Sequence, residues 1–320
     1  MELLLNPLVK NFLIEKLNND TLINQSLLFW GESDLGKLST AKVFAKSILC
    51  NSKTLGGCNQ CSSCKAFEQA WHPDFLLINT DSDTLKVKNT EPIFEFLMYK
   101  PQISHKKILI INNCEKLNLT TQSALLKELE EPKNNFIIIL ITSNPQKLLK
   151  TIKSRVIPIR FTKPNKTELI EYIKKSFNKN ISNIDYLINL SQNRPAQIIN
   201  FINNIDTLKN KENNINIFKK ISKKSFIEQS SLIKHLLEKF EELENINSES
   251  EVSIKSYLKP IINDWLDYLE SEIYVNLSQN SLDIKAKLKE LKNTLQLLHY
   301  VDQYNANYRL LLETFCLTTF

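Results

Sequence analysis

The chain has 320 residues, 42% hydrophobic and 24% charged, a globular composition at a length above the ~100 to 200 residues typical of one domain. Lys plus Arg outnumber Asp plus Glu by 41 to 35, an excess that permits polyanion binding without requiring it. No apolar run approaches the ~20 residues that span a bilayer, and the opening MELLLNPLVKNFLIEKLNND has Lys and Asn where a secretory apolar core would lie. The expectation is a cytoplasmic protein of two or three domains with no membrane partner.

From residue 26 to about 161, short apolar runs alternate with helical segments. Strands are predicted at 26–30 (SLLFW), 74–78 (DFLLI), 107–111 (KILII), 136–142 (FIIILIT) and 156–161 (VIPIRF). Their near-continuous apolarity reads as parallel strands buried on both faces. Helices are predicted at 38–49, 93–98 and 120–130, which makes residues 1–162 an α/β domain with ligand sites beyond the carboxyl ends of its strands. Past residue 161 the strand signal disappears. Short helices follow in TKPNKTELIEYIKKSF, NIDYLINLSQ and RPAQIINFI, with Asn183 and Asn193 as candidate caps and Pro195 in a first turn. They form an expected helical lid domain over 163–205. Residues 206–320 continue as longer amphipathic helices, at 230–243, 254–276 and 282–300, with the polar stretch NINSES at 245–250. Lys-rich stretches such as 219–224 read as solvated faces.

Two scarcities sharpen the search for functional residues. Average usage of ~7% would give roughly 22 glycines, but the chain has four: Gly31, Gly36, Gly56 and Gly57. Only Arg155, Arg160, Arg194 and Arg309 are arginines. Where Lys and Asn have replaced so much, a retained Gly or Arg points to a backbone with positive φ or a planar fork of donors.

Gly31-Glu32-Ser33-Asp34-Leu35-Gly36-Lys37 joins a predicted strand to a predicted helix in the G-x-x-x-x-G-K frame of a phosphate loop. In such a loop backbone N–H groups and a helix N-terminus face the phosphates. The next position should carry the hydroxyl that ligates Mg²⁺, and here it is Leu38; Ser39 lies about 100° further round the helix. A tight turn that binds nothing is the competing reading. The third strand should end in acids that order Mg²⁺ and polarise water, yet it ends in Asn112 and Asn113. Glu115 reads as a surface or helix-start residue.

Cys50, Cys58, Cys61 and Cys64 lie within 15 residues. Under reducing conditions four thiolates at this spacing suit a closed tetrahedral Zn²⁺ site; buried free thiols are the alternative. Gly56 and Gly57 would supply the sharp turn before the cluster. His72 reads as structural, and Cys114 and Cys316 as core residues.

The phosphate loop, the cysteine cluster, SALLKELEEP at 123–132, TSNP at 142–145 and LLKTIKSRV at 148–156 together resemble the bacterial DNA polymerase III clamp-loader subunits of the AAA+ class, their delta prime branch most of all. The resemblance implies a P-loop AAA+ domain with a zinc module, a lid and a C-terminal oligomerising collar. It implies that Ser154-Arg155, with Val156 in place of the usual Cys, presents an arginine finger to ATP in a neighbouring subunit. Leu38, Asn112 and Asn113 depart from the ATPase members, so Gly31, Gly36, Lys37 and Ser39 form a degenerate loop with ATP binding weak or absent. The implied role is a non-hydrolysing stator beside gamma/tau and delta subunits in a ring that loads a sliding clamp onto primed DNA. An active gamma/tau-type ATPase using an unrecognised acid and a zinc-dependent nucleic-acid binder remain the alternatives, although Lys53 and Lys65 make a thin basic patch for the latter. For Arg155 itself, a structural pairing with Glu130 or Glu131 is the alternative.

Overall fold

The computed structural model describes residues 7–18, 26–80, 91–130, 135–177, 183–246, 254–278, 284–303 and 307–320. The chain opens with α1 (Pro7–Asn18), whose Val9, Leu13 and Leu17 recur every four residues and are buried. The five predicted strands follow: β1 (Ser26–Trp30), β2 (Phe75–Asn79), β3 (Lys107–Asn112), β4 (Phe136–Thr142) and β5 (Val156–Arg160). All pair in parallel, in the order β2-β3-β4-β1-β5. Between them lie α2 (Lys37–Leu49), α3 (Ser62–Glu68), α4 (Glu91–Met98), α5 (Leu119–Glu130) and α6 (Lys150–Lys153), and α7 (Lys166–Phe177) comes after β5.

Successive side chains on a strand point to opposite faces, so one strand feeds two cores. Leu27, Phe29, Ile108, Ile110, Ile137 and Ile139 pack with α1 and α2. Leu28, Leu109, Ile111, Ile138 and Leu140 pack with α4, α5 and Ile152 of α6. Burial on both faces therefore holds for β3, β4 and β1. It fails for β2 and β5, which are edge strands with half-buried or exposed positions; Pro158 on β5 suits an edge, where a missing N–H breaks no ladder.

Residues 182–192 and 197–320 form a second compact unit, while 1–181 and 193–196 form the first. This division differs from the expected boundaries at 162 and 205. The reason is α8 (Ile184–Ser191), which packs on α12 (Ile254–Ser278) and is tied there by a hydrogen bond from Gln192 Nε2 to the Asp267 carbonyl. The other helices are α9 (Pro195–Asn203), α10 (Ile205–Ile221), α11 (Phe226–Ile246), α13 (Ile284–Gln303) and α14 (Tyr308–Thr319). Trp265 anchors this second core, stacked on Phe218 at 5.3 Å and on Tyr268 at 5.0 Å. Lys219 lies over the Tyr268 ring at 4.1 Å, so it is not simply solvated as its Lys-rich neighbourhood suggested.

Pro195 opens α9 as expected, but the two predicted asparagine caps do not form. Asn183 takes φ 69° with no side-chain cap bond, and Asn193 takes φ 60° two residues before α9. Asn suits both a cap and a left-handed turn, and the sequence does not separate them. Side chains that do cap among the described residues include Asn204, accepting from the Asp206 N–H at 3.1 Å, and Asn307, accepting from the Leu310 N–H at 3.2 Å. Among the described residues no helix is long and apolar enough to cross a membrane. Glu131, Leu282 and residues 247–250 of the sequence reading lie outside the described residues.

Candidate functional site

β1 connects to β2 at one edge of the sheet while its neighbour β4 connects past it to β5 at the other edge, so the loop after β1 lies at a topological switch point, where α/β folds bind ligands. Gly31 has φ 144°, and a Cβ there would stand 2.4 Å from the Phe161 carbonyl oxygen. Only glycine fits. Gly36, at φ 79°, caps α2 in the left-handed region. Lys37 opens α2 and is 6% exposed. Its Nζ donates to the Gly31 carbonyl at 2.7 Å, to the Glu32 carbonyl, and to Ser143 Oγ at 3.5 Å. Burial pulls the ammonium down to about 8, against the opposing pull of Glu115, Asp34 and Glu32. Leu38 packs half-buried against the sheet core, and Ser39 is exposed. The loop thus keeps its backbone turn and its lysine while the position of the metal-ligating hydroxyl has become part of the apolar core.

At the end of β3, Asn112 donates its side-chain amide to Asn79 Oδ1 at 3.2 Å, and Asn113 is left-handed at φ 52°. That turn folds Glu115 back onto a helix start, one of the two positions its sequence suggested, and away from the open surface, the other. Glu115 sits half-buried on the 3-10 turn Cys114–Lys116. Its Oε1 accepts the Ser143 N–H at 3.2 Å, and its Oε2 is buried with no hydrogen-bond partner. Lys37 and Glu115 thus converge on Ser143, the residue after β4. An acid stands beside the loop lysine even though both expected acids are amides. The only sequence signal was the Asn-Asn pair, a composition that favours a left-handed reversal.

The four clustered cysteines come together as expected, all four Sγ atoms lying within 4.8 Å of one another. A Zn–S bond of ~2.3 Å implies tetrahedral S···S separations of about 3.8 Å, and Cys58 and Cys64 are 4.0 Å apart. Backbone N–H groups of Cys58, Cys61 and Cys64 donate to the sulfurs of Cys50, Cys58 and Cys61 at 3.3 to 3.4 Å. The N–H groups of Gln60 and Cys61 bring the Cys58 thiol down to about 6, whereas burial pushes Cys64 up to about 12. Gly57 makes the turn, because a Cβ there would meet Cys64 Sγ and the Lys46 stem at 2.9 Å. The donor set and its spacing can hold a soft divalent metal. His72 stands outside it: Nδ1 accepts the Asp74 N–H at 3.0 Å, so Nε2 carries the proton that faces Ser63 Oγ at 2.9 Å. It is structural, and Cys114 and Cys316 are buried core residues, both as expected.

Ser154 and Arg155 are exposed between α6 and β5. Because β5 runs parallel to β1 with Val156 opposite Ser26, Arg155 stands at the amino end of the strands and the glycine loop at the carboxyl end. Arg155 Nη2 pairs with Glu130 Oε1 at 2.7 Å, and Nη1 donates to the Thr151 carbonyl at 2.9 Å. The carboxylate expected under the structural alternative is therefore present. Ser154 Oγ donates to the same carbonyl at 2.9 Å.

The family described as DNA polymerase III, delta subunit, matches residues 5–165. The chain is 35% identical over 151 residues to the DNA polymerase III subunit delta' of Bacillus subtilis, a segment covering 47% of this chain and 46% of that protein. It is 27% identical over 152 residues to subunit delta' of Pseudomonas aeruginosa, with 47% and 46% covered. Against subunit tau/gamma of Haemophilus influenzae it is 34% identical over 155 residues, 48% of this chain and 22% of that one. The chain thus spans about half the length of these relatives or less. A gamma subunit-related protein of Thermotoga maritima shares the fold, with a TM-score of 0.50 at 19% identity over 95% of this chain and 97% of that one.

Proposed function

The chain belongs to the DNA polymerase III delta-subunit family, matched over residues 5–165, and from that premise we propose that it is a delta prime-type clamp-loader subunit that does not hydrolyse ATP. The observation that carries this reading is the loop itself. Lys37 and the glycines are kept, while Leu38, Asn112 and Asn113 stand where a metal ligand and two acids would be. Without them Mg²⁺ is not ordered and water is not polarised, a loss of several kcal/mol of transition-state stabilisation. The chain's part in hydrolysis is then Arg155, offered in trans to ATP on a gamma/tau-type neighbour. Its pair with Glu130, 34% and 48% exposed, belongs to a class worth about 0 to 1 kcal/mol, so a triphosphate can take the guanidinium over. Structural Zn²⁺ on Cys50, Cys58, Cys61 and Cys64, a lid over 163–205, a collar over 206–320, a delta subunit, the sliding clamp, primed DNA and a cytoplasmic setting complete the proposal.

The test is reconstitution with Arg155→Lys. If the assembly forms and clamp-stimulated hydrolysis drops steeply, the trans role stands, since arginine fingers are worth roughly 10³ to 10⁵ in rate and lysine lacks the fork. Unchanged hydrolysis and loading would reduce Arg155 to the Glu130 pair. One observation favours a second reading, a self-sufficient ATPase: Glu115 lies beside Lys37. That reading requires turnover by the isolated chain that is abolished in both Glu115→Gln and Lys37→Ala.

A further inference from the structure

Glu32, the second residue of the loop, engages three cations. Its backbone carbonyl accepts the Lys37 ammonium. Its carboxylate Oε2 lies 2.9 Å from Lys163 Nζ and 3.4 Å from Arg194 Nη2. These cations come from three separate places: the start of α2, the segment after β5, and the residue preceding α9. Arg194 is held firmly in place. Its side chain is 13% exposed, and the Ala196 N–H donates to the Asp34 carbonyl of the loop at 3.0 Å. The two residues before it, Gln192 and Asn193, take φ 52° and 60°, a conformation that costs any non-glycine residue free energy and persists only where its surroundings impose it. Partial burial would raise the Glu32 carboxyl, but Lys163 and then Arg194 outweigh it and hold the group below the ordinary carboxylate range. The carboxylate is ionised.

We infer that Glu32 is an internal anion occupying the cationic approach to the loop, so that a nucleotide's phosphates bind only by displacing it from Lys163 and Arg194. This rests on reading residues 31–37 as a phosphate loop, and it adds a cause of nucleotide exclusion separate from the lost metal ligands. A triphosphate brings several negative charges that need matching. With Leu38, Asn112 and Asn113 in place, no ordered metal meets them, and Lys37, Lys163 and Arg194 are the cations that Glu32 contacts among the described residues. All three are engaged by one residue. An incoming phosphate must compete with the Glu32 carboxylate for two of them and also lie close to its like charge. The Glu32 side chain is 53% exposed, and ion pairs of that kind are individually weak. The device is therefore a gate that one neutralising substitution opens.

The experiment uses the full chain with Glu32→Gln, which keeps the side chain's size and the backbone carbonyl but removes the charge. Binding of a fluorescent ATP analogue, and its competition by inorganic triphosphate, is measured without Mg²⁺ on preparations matched in thermal unfolding. Glu32→Gln is expected to bind about tenfold more tightly than the unsubstituted chain, the scale of removing two partly exposed ion pairs and one like charge. Adding Lys163→Gln should take back most of the gain. Should Glu32→Gln fail to fold, Glu32→Ala is read in the same way. Equal affinity before and after substitution, whether both bind or neither does, overturns the inference. A chain that assembles with clamp-loader subunits yet shows no gain defeats this inference alone; one that gains phosphate affinity yet does not assemble defeats the proposed function alone.

Discussion

Lys37 is the residue whose environment departs furthest from what its motif requires. The folded chain releases its proton near 8, whereas an unfolded chain holds a lysine proton to about 10.4. Between those values the unfolded state binds more protons, so stability rises with pH across this window. Below about 8 both states are protonated and the folded state carries the full cost of the buried ammonium. The expected contribution is on the order of 2 to 3 kcal/mol between pH 8 and 10.5. Urea unfolding of the unsubstituted chain and of Lys37→Met at pH 7, 9 and 10.5 reads it as a difference, in which other titrating groups cancel. A difference that stays flat over that range would rule out the buried-ammonium account. The glycines and Lys37 were legible in the sequence because phosphate loops constrain them sterically. Glu115 was not, because its position depends on the left-handed turn at Asn113, and Glu32 was not, because its motif position accepts any residue.

At the scale of elements, the strands, the cysteine cluster and the helices α2, α4 and α5 were legible, whereas α3, which starts inside that cluster, was not. Four thiols at short spacing already carry the chemistry of a metal site. That α3 begins at Ser62, inside the cluster, with the Cys61 sulfur accepting the Cys64 N–H as its cap, follows only from the folded turn. The zinc reading predicts one equivalent of Zn²⁺ per chain by elemental analysis. It also predicts a distinctive chemistry once the metal is stripped by a chelator. Cys58, brought down to about 6 by the amides of Gln60 and Cys61, is largely thiolate at neutral pH, and the thiolate is the nucleophile. Cys64, pushed up by burial, is not. Alkylation followed by peptide mapping should label Cys58 ahead of Cys64, with the Cys58 rate climbing as pH rises through about 6. Zinc-loaded protein should resist both. Equal labelling of the two thiols, or labelling indifferent to metal, contradicts the site.

Across the whole molecule the sequence revealed that an α/β segment is followed by helices, but not how those helices are grouped. Amphipathic periodicity identifies a buried stripe without identifying what covers it, so the assignment of α8 to the C-terminal unit was not readable. Nor was Lys211, one of many lysines in the chain, which is 4% exposed. Its Nζ meets Asp267 Oδ2 at 2.7 Å and Asp264 Oδ1 at 3.5 Å, and Asn214 donates to Asp264 Oδ2 at 2.7 Å. Burial raises the Asp264 carboxyl in spite of those partners, which marks how costly a negative charge is at this position. Removing the cation leaves two carboxylates facing each other in a poorly solvated core. Lys211→Met should therefore cost about 3 kcal/mol, and adding Asp264→Asn and Asp267→Asn should restore most of it by removing the stranded charges. The loss should also be local, because the C-terminal core around Trp265 and the two sheet cores are built from separate sets of residues. Hydrogen exchange resolves this: amides of α10 and α12 should lose protection in Lys211→Met while those of β1, β3 and β4 keep theirs. Matching losses in the strands would mean that the two units unfold as one cooperative body.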